Sequence, residues 1–175
     1  GVGVLTINSG CRFPFRINVI DAAKVGVDRL AAAAGLHRRT TNAVIVDVGS
    51  AITVDLLREG AFGGGLIMPG PALGLKALGS YARKLPQIDY ASISGRFPTR
   101  FDDTRPSMIL GAHIGTVGAV KEAVRFLSRK TARRPAIVVT GGGAAALAGN
   151  WPSAWRQDPD LVLRGIRRIW TLNRA

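Results

Sequence analysis

The 175-residue chain carries 24 Lys and Arg against 11 Asp and Glu, a net charge of +13, with 47% hydrophobic and 20% charged residues. That balance supports one domain or slightly more and argues against global disorder. No run reaches the roughly 18 apolar residues of a membrane helix, so no membrane-spanning segment is expected.

The start, Gly1-Val2-Gly3-Val4-Leu5, lacks the basic and apolar regions of a signal peptide. The single cysteine, Cys11, cannot form an internal disulfide, which suits a reducing cytoplasm. The arginines fall in small groups, Arg38-Arg39, Arg133-Arg134 and Arg167-Arg168, without interleaved aromatic residues. This reads as a solvated basic surface rather than a nucleic-acid platform.

Residues 1–20 read as an extended lead-in. Asp21 is placed to cap a helix from Ala22 to about Ala34, with Gly35 as its stop. Residues 43–48 and 51–57 are β-branched and read as strands joined at Gly49-Ser50. After a turn at Arg58-Glu59-Gly60, residues 61–67 form a third, glycine-rich strand that tolerates close approach. Pro71 opens a helix to about Ala82, and residues 86–103 are an irregular link.

A long helix is predicted from about Arg105 to Lys130. Either Thr104 as N-cap or Pro106 in the first turn would start it. Its small residues Gly111, Ala112, Gly115 and Gly118 suit close packing. Ala136 to Val139 read as a buried strand ending in Thr140-Gly141-Gly142-Gly143. A short helix, Ala144 to Ala148, follows, and a last one runs from near Asp158-Pro159 to Trp170. The order gives an α/β lobe with a mixed sheet rather than an alternating wind.

The informative stretch is Asp47-Val48-Gly49-Ser50-Ala51-Ile52-Thr53-Val54-Asp55 followed by Gly63-Gly64-Gly65-Leu66-Ile67-Met68-Pro69-Gly70. A meander whose tight ends carry acids and glycines lets backbone amides approach phosphate and lets a carboxylate hold a cation. That pattern points to nucleotide handling.

Five spaced segments then match one family: Val25-Gly26-Val27-Asp28-Arg29, Val46 to Ala51, Gly60 to Gly70, Thr104-Arg105-Pro106-Ser107-Met108 with Gly111, and Thr140-Gly141-Gly142. In that order the chain resembles a type III pantothenate kinase, a phosphotransferase of the actin-like fold. The resemblance implies an actin-like (ribonuclease H-like) lobe with a mixed sheet and three-strand meander. Residues 1–40 would be a remnant of a first lobe with the substrate-pocket helix, and residues 41–175 the second lobe. Family members begin with a phosphate loop of the form Asp-x-Gly-Asn-Thr, and none precedes Gly26, so the chain reads as the second lobe without the first.

The implied activity is ATP-dependent phosphorylation of pantothenate, the first step of coenzyme A synthesis, with Mg2+ and K+ as cofactors and a homodimer as the assembly. The alternative is a non-catalytic, pantothenate-binding or regulatory family member. Asp28 matches the general base and Arg29 the arginine that pairs with the pantothenate carboxylate. Gly26 allows close backbone approach, and Val27 stands where alanine is usual. Without the family match, Asp28 and Arg29 read as a surface charge pair.

Asp47 corresponds to the monovalent-cation ligand, or alternatively to a turn cap. Ser50 replaces a threonine that contacts ATP and keeps the hydroxyl. Gly141 and Gly142 match the glycines beside adenine, or form a tight strand-to-helix turn. Thr104 matches a threonine given to pantothenate across the dimer interface, or is a plain N-cap. Asp55 reads as structural, His113 as a packing residue, and Trp151, Trp155 and Trp170 as core or interface anchors.

Overall fold

The computed structural model describes residues 4–36, 38, 40–93 and 97–174. Arg39 of the first arginine group and the opening Gly1-Val2-Gly3 lie outside these. Six strands, β1 (Arg16–Ile17), β2 (Ala43–Val48), β3 (Ala51–Arg58), β4 (Ala61–Pro69), β5 (Ala136–Thr140) and β6 (Arg156–Gln157), form one sheet in the order β1-β4-β3-β2-β5-β6. The helices are α1 (Val27–Ala34), α2 (Pro71–Tyr81), α3 (Thr104–Ser128) and α4 (Leu161–Asn173).

The meander β2-β3-β4 is antiparallel, while β5 runs parallel to β2 and β6 parallel to β5. This is the mixed α/β sheet with a three-strand meander expected from the sequence. β2 is apolar on both faces because both are covered. Val44, Val46 and Val48 pack under α3 with Val117, Val120 and Val124. Ala43 and Ile45 pack under α1 and α4 with Leu30, Ala33 and Leu161. Helices therefore sandwich the sheet, and Asp47 falls on the α1 face because side chains alternate.

Several elements depart from the sequence expectation. The helix read from Ala22 is two pieces: Asp21 caps a 3-10 turn at Ala22–Lys24, accepting from Ala23 N at 3.1 Å, and α1 starts afresh at Val27. Val25 and Gly26 are extended between them. The lead-in contains β1, which pairs parallel with β4 over two residues only. β6 is equally short and falls where no strand was read. The helix expected at Ala144 to Ala148 is a 3-10 segment, Ala145–Asn150. The Glu59-Gly60 turn has positive φ at both residues, 51° and 71°, which matches the right-handed strand twist of a two-residue hairpin.

α1 and α4 cross at glycines. A Cβ on Gly165 would lie 1.7 Å from Ala31 O, and one on Gly35 would lie 1.9 Å from Leu161 O. Gly35 thus ends α1 without a left-handed φ; it is glycine because another helix touches it. Gly165→Ala gains roughly 1 kcal/mol of helix propensity but forces two helix backbones apart, an overpacking cost of about 3 kcal/mol or more. The expected net is a fall in Tm of about 4–8 °C. Gly118→Ala on α3, where an added Cβ meets nothing within 4 Å, should not lower Tm. Thermal melts of the two variants check the sign.

Candidate active site

The break before α1 is what presents its first turn. Gly26 has no side chain to cap the helix, and Asp28 fills that space: a Cβ on Gly26 would sit 2.5 Å from Asp28 Oδ1. Asp28 Oδ1 accepts from Arg29 N at 2.9 Å. The carboxylate lies in the positive field of the helix N-terminus and is exposed, as are Gly26 and Val27.

Arg29 points inward. Its Nε donates to Asp55 Oδ1 and Oδ2 at 3.0 and 3.1 Å, and its Nη2 donates to Oδ1 as well. The side chains are 13% and 2% exposed, and the guanidinium lies 5.8 Å from the centre of the Phe62 ring. The Asp55 hydrogen bonds raise the Arg29 pKa above its ordinary value. Burial pushes the Asp55 carboxyl up, opposed by Arg29.

One of the three glycines of β4, Gly65, makes room for this pair. Gly64 has φ of 76° in a bulge between the Asp55 and Leu57 pairings. A Cβ on Gly65 would lie 2.5 Å from Asp55 Oδ1 and 2.1 Å from Val54 O. Asp55 is therefore the buried structural partner that fixes Arg29, a pairing its sequence position did not reveal. The signal available was a buried-strand acid opposite a run of glycines.

Asp47 lies in register with Thr53 on β3 and Thr140 on β5, so a Thr-Asp-Thr row crosses three strands on the α1 face. The hydroxyl oxygens of Thr53 and Thr140 are buried with no hydrogen-bond partner. Burial first, then the negative charges of Asp28 and Asp55, push the Asp47 carboxyl above the ordinary aspartate range. The row thus sets buried oxygens without partners beside an acid that lacks a neighbouring positive charge. Among the described residues no three His, Cys, Asp or Glu side chains gather closely enough to cage a metal ion.

The glycine turn after β5 closes over this row. Gly141 has φ of 95°, and a Cβ there would strike Asp47 Oδ1 at 2.3 Å and Val48 O at 2.5 Å. Gly143 N donates to Val48 O at 2.9 Å. Gly142 is exposed, with open space around its Cα. Ser50 is exposed in the β2-β3 turn, and its carbonyl accepts from Gly70 N at 2.9 Å. Asp28, Asp47, Ser50, Gly141 and Gly142 thus gather at the carboxyl ends of β2 and β5, a shelf, with the Arg29 side chain set further along the sheet on Asp55, opposite Ile45.

Thr104 is not among them. It is the first residue of α3 and exposed, and the N-cap is Asp103, whose carboxylate accepts from Thr104 N at 2.6 Å. Asp103 has the extended backbone that a cap requires. Thr104 lines a shallow crevice with Leu85, Phe101 and Ser107. His113 packs at a tilt against Phe97, ring centres 3.7 Å apart, with Nε2 3.3 Å from Asn150 Oδ1. Trp151 is buried and stacks on Trp155, whereas Trp170 is 44% exposed under Arg174. No helix is long and apolar enough to cross a membrane among the described residues.

The family model for type III pantothenate kinase matches residues 1–126. A type III pantothenate kinase from Dehalococcoides mccartyi is 33% identical over 98% of this chain and 66% of its own length. One from Geobacter sulfurreducens is 32% identical over 99% of this chain and 68% of its own, and one from Kosmotoga olearia 32% over 82% and 54%. The chain spans between about half and two thirds of the curated relatives it matches. The crystal structure of a conserved Baf family protein from Campylobacter jejuni superposes with a TM-score of 0.63 at 26% identity, covering 91% of this chain and 70% of that one.

Proposed function

We propose, from the premise that this chain belongs to the type III pantothenate kinase family, that the shelf at the carboxyl ends of β2 and β5 is where the γ-phosphoryl of ATP meets the primary alcohol of pantothenate. The observation that carries this reading is the convergence of Asp28 and Arg29, delivered by α1, with the Asp47 row delivered by the sheet. Asp28 accepts the alcohol proton as the oxygen bonds to phosphorus and ADP leaves. Arg29 meets the pantothenate carboxylate with the guanidinium edge that Asp55 does not use. Gly26 and Val27 line that pocket. Ser50 bonds the nucleotide and Gly141 and Gly142 flank its adenine; Mg2+, when bound with ATP, would balance the charge of its phosphates. Thr104 serves the site of a second copy in a homodimer, which accounts for its distance from Asp28 within one chain. The compartment is the cytoplasm.

The residues fit a potassium ion. Asp47 would hold it with the Thr53 and Thr140 hydroxyls, and its positive charge would favour phosphate binding when it is present. The test is transfer of phosphate to labelled pantothenate by the purified chain with Mg-ATP, in potassium and in sodium. Potassium-dependent product supports the proposal. Pantothenate binding without product supports the alternative of a family member that binds the acid and does not transfer phosphate. Neither binding nor product overturns both.

Asp47 also yields a stability prediction. A carboxyl with a raised folded-state pKa favours folding in its protonated form; that contribution is full below the ordinary value of about 4 and is lost as pH rises through the raised value. At neutral pH, ionised Asp47 therefore costs stability until a cation neutralises it. Asp47→Asn should raise Tm by about 2–4 °C at pH 7 in sodium and remove any potassium-induced rise. A variant that melts lower, or still responds to potassium, would count against the seat.

A further inference from the structure

On the α1 face of the sheet, the crossing of α1 and α4 gathers arginines at the C-terminal end of α1. Arg164, Arg167 and Arg168 stand at i, i+3 and i+4 on α4 and so share one stripe of that helix. The stripe flanks the buried Leu161, Gly165 and Ile169, and these pack on Ala31, Ala34 and Gly35. The crossing therefore sets the stripe beside the residues that follow α1. Arg38, Arg164, Arg167 and Arg168 line one crevice there, of about 870 Å³, with Pro14, Leu36 and Leu172 as its apolar lining. That volume is within the range of small-molecule pockets.

Among the described residues no acid lines this crevice. Arg164 is paired with Asp158, whereas Arg38 and Arg167 form no ion pair among the described residues. Arg168 is aimed by the backbone: its Nη1 donates to Ala34 O and Leu36 O at 3.2 and 3.0 Å. Closing those carbonyls at the end of α1 accounts for one arginine. Its Nε and Nη2 have no hydrogen-bond partner among the described residues, and such an edge meets two oxygens of a phosphate as a fork. Burial and the neighbouring Arg38 push the Arg168 pKa down, so positive charge is gathered here without an anion. Like charges three and four residues apart on a helix repel, and a bound anion would relieve that repulsion.

We propose that this crevice binds a small anion that carries a pyrophosphate group. The unpaired guanidinium groups of Arg38, Arg167 and Arg168 suit a group with more than one phosphate better than a lone carboxylate. Inorganic pyrophosphate and a nucleoside diphosphate share that chemistry, and the apolar lining would seat the organic body of the second. The eight residues of α1, about 12 Å of helix rise, separate the crevice from Asp28. The site is therefore distinct from the shelf, and the proposal does not depend on the kinase reading.

The experiment is isothermal titration of the full chain with inorganic pyrophosphate and, separately, with uridine diphosphate, both without divalent metal. Binding of both would show that the crevice accepts an attached organic body; binding of pyrophosphate alone would restrict it to the inorganic anion. Either result supports the proposal. Arg38→Gln with Arg167→Gln should weaken pyrophosphate binding by about 10²-fold, roughly tenfold for each charged donor group removed. Both residues are exposed, so the variant should fold, and a melt without ligand checks that. Pyrophosphate should raise the Tm of the parent and not that of the variant. Lys76→Gln with Lys121→Gln removes the same charge from exposed positions on α2 and α3 and should leave the affinity unchanged. Absence of binding to the parent, or equal losses in the two paired variants, would overturn the proposal. So would parent-like affinity after the Arg38 and Arg167 substitutions, which would move the anion to the shelf and leave the kinase reading standing.

Discussion

Asp28→Asn is expected to lower turnover by about 10²–10⁴-fold, the usual contribution of a positioned proton acceptor, while pantothenate affinity stays nearly unchanged. The amide is the same size and can still accept from Arg29 N, so the first turn of α1 keeps its geometry. What it loses is the basicity needed to take a proton from an alcohol while phosphorus approaches. On the proposed reading the ground-state complex depends instead on Arg29 and on the backbone at Gly26, whose identities the substitution leaves unchanged. The expected signature is therefore a fall in kcat and kcat/KM together with little change in KM. Isothermal titration with pantothenate and single-turnover transfer separate the two parts. Turnover near the parent value would remove Asp28 as the base. Loss of binding with kcat retained would make it a substrate ligand instead.

The framework of this site was legible where local chemistry decides it. The β-branched runs of β2 and β3, the Glu59-Gly60 hairpin and the Pro71 helix start are set within a few residues, and the structure keeps them. Asp47 at the end of a buried run was legible for the same reason. What escaped depends on partners distant in the chain. β1 and β6 pair over two residues each, too few for any period. The helix break at Val25-Gly26 separates a 3-10 turn from α1, whose packing on α4 is made far along the helix, at Ala31 and Gly35. Thr104 and Asp103 are both acceptable caps by residue type, and only backbone geometry chooses Asp103.

Asp55 is the case where that distance matters most, and Asp55→Ala is expected to cost about 3–5 kcal/mol, the range for breaking a buried ion pair from one side. The loss is large because Arg29 is then left with its Nε and Nη2 donors unmet beneath Phe62, in a pocket shaped by Gly65 to hold a carboxylate. In a chain of this size the change amounts to a Tm lower by roughly 10 °C or more. The partner substitution distinguishes support from function. Arg29→Met with Asp55→Leu replaces two paired charges by apolar side chains, a change that is often neutral or stabilising, so it should recover most of the lost stability. It should not recover pantothenate binding, because the guanidinium that reads the carboxylate is gone. If Asp55→Ala melts like the parent, the ion pair does not organise the site. If the double variant binds pantothenate normally, Arg29 serves the fold alone, and the acid must be held by another group on the shelf.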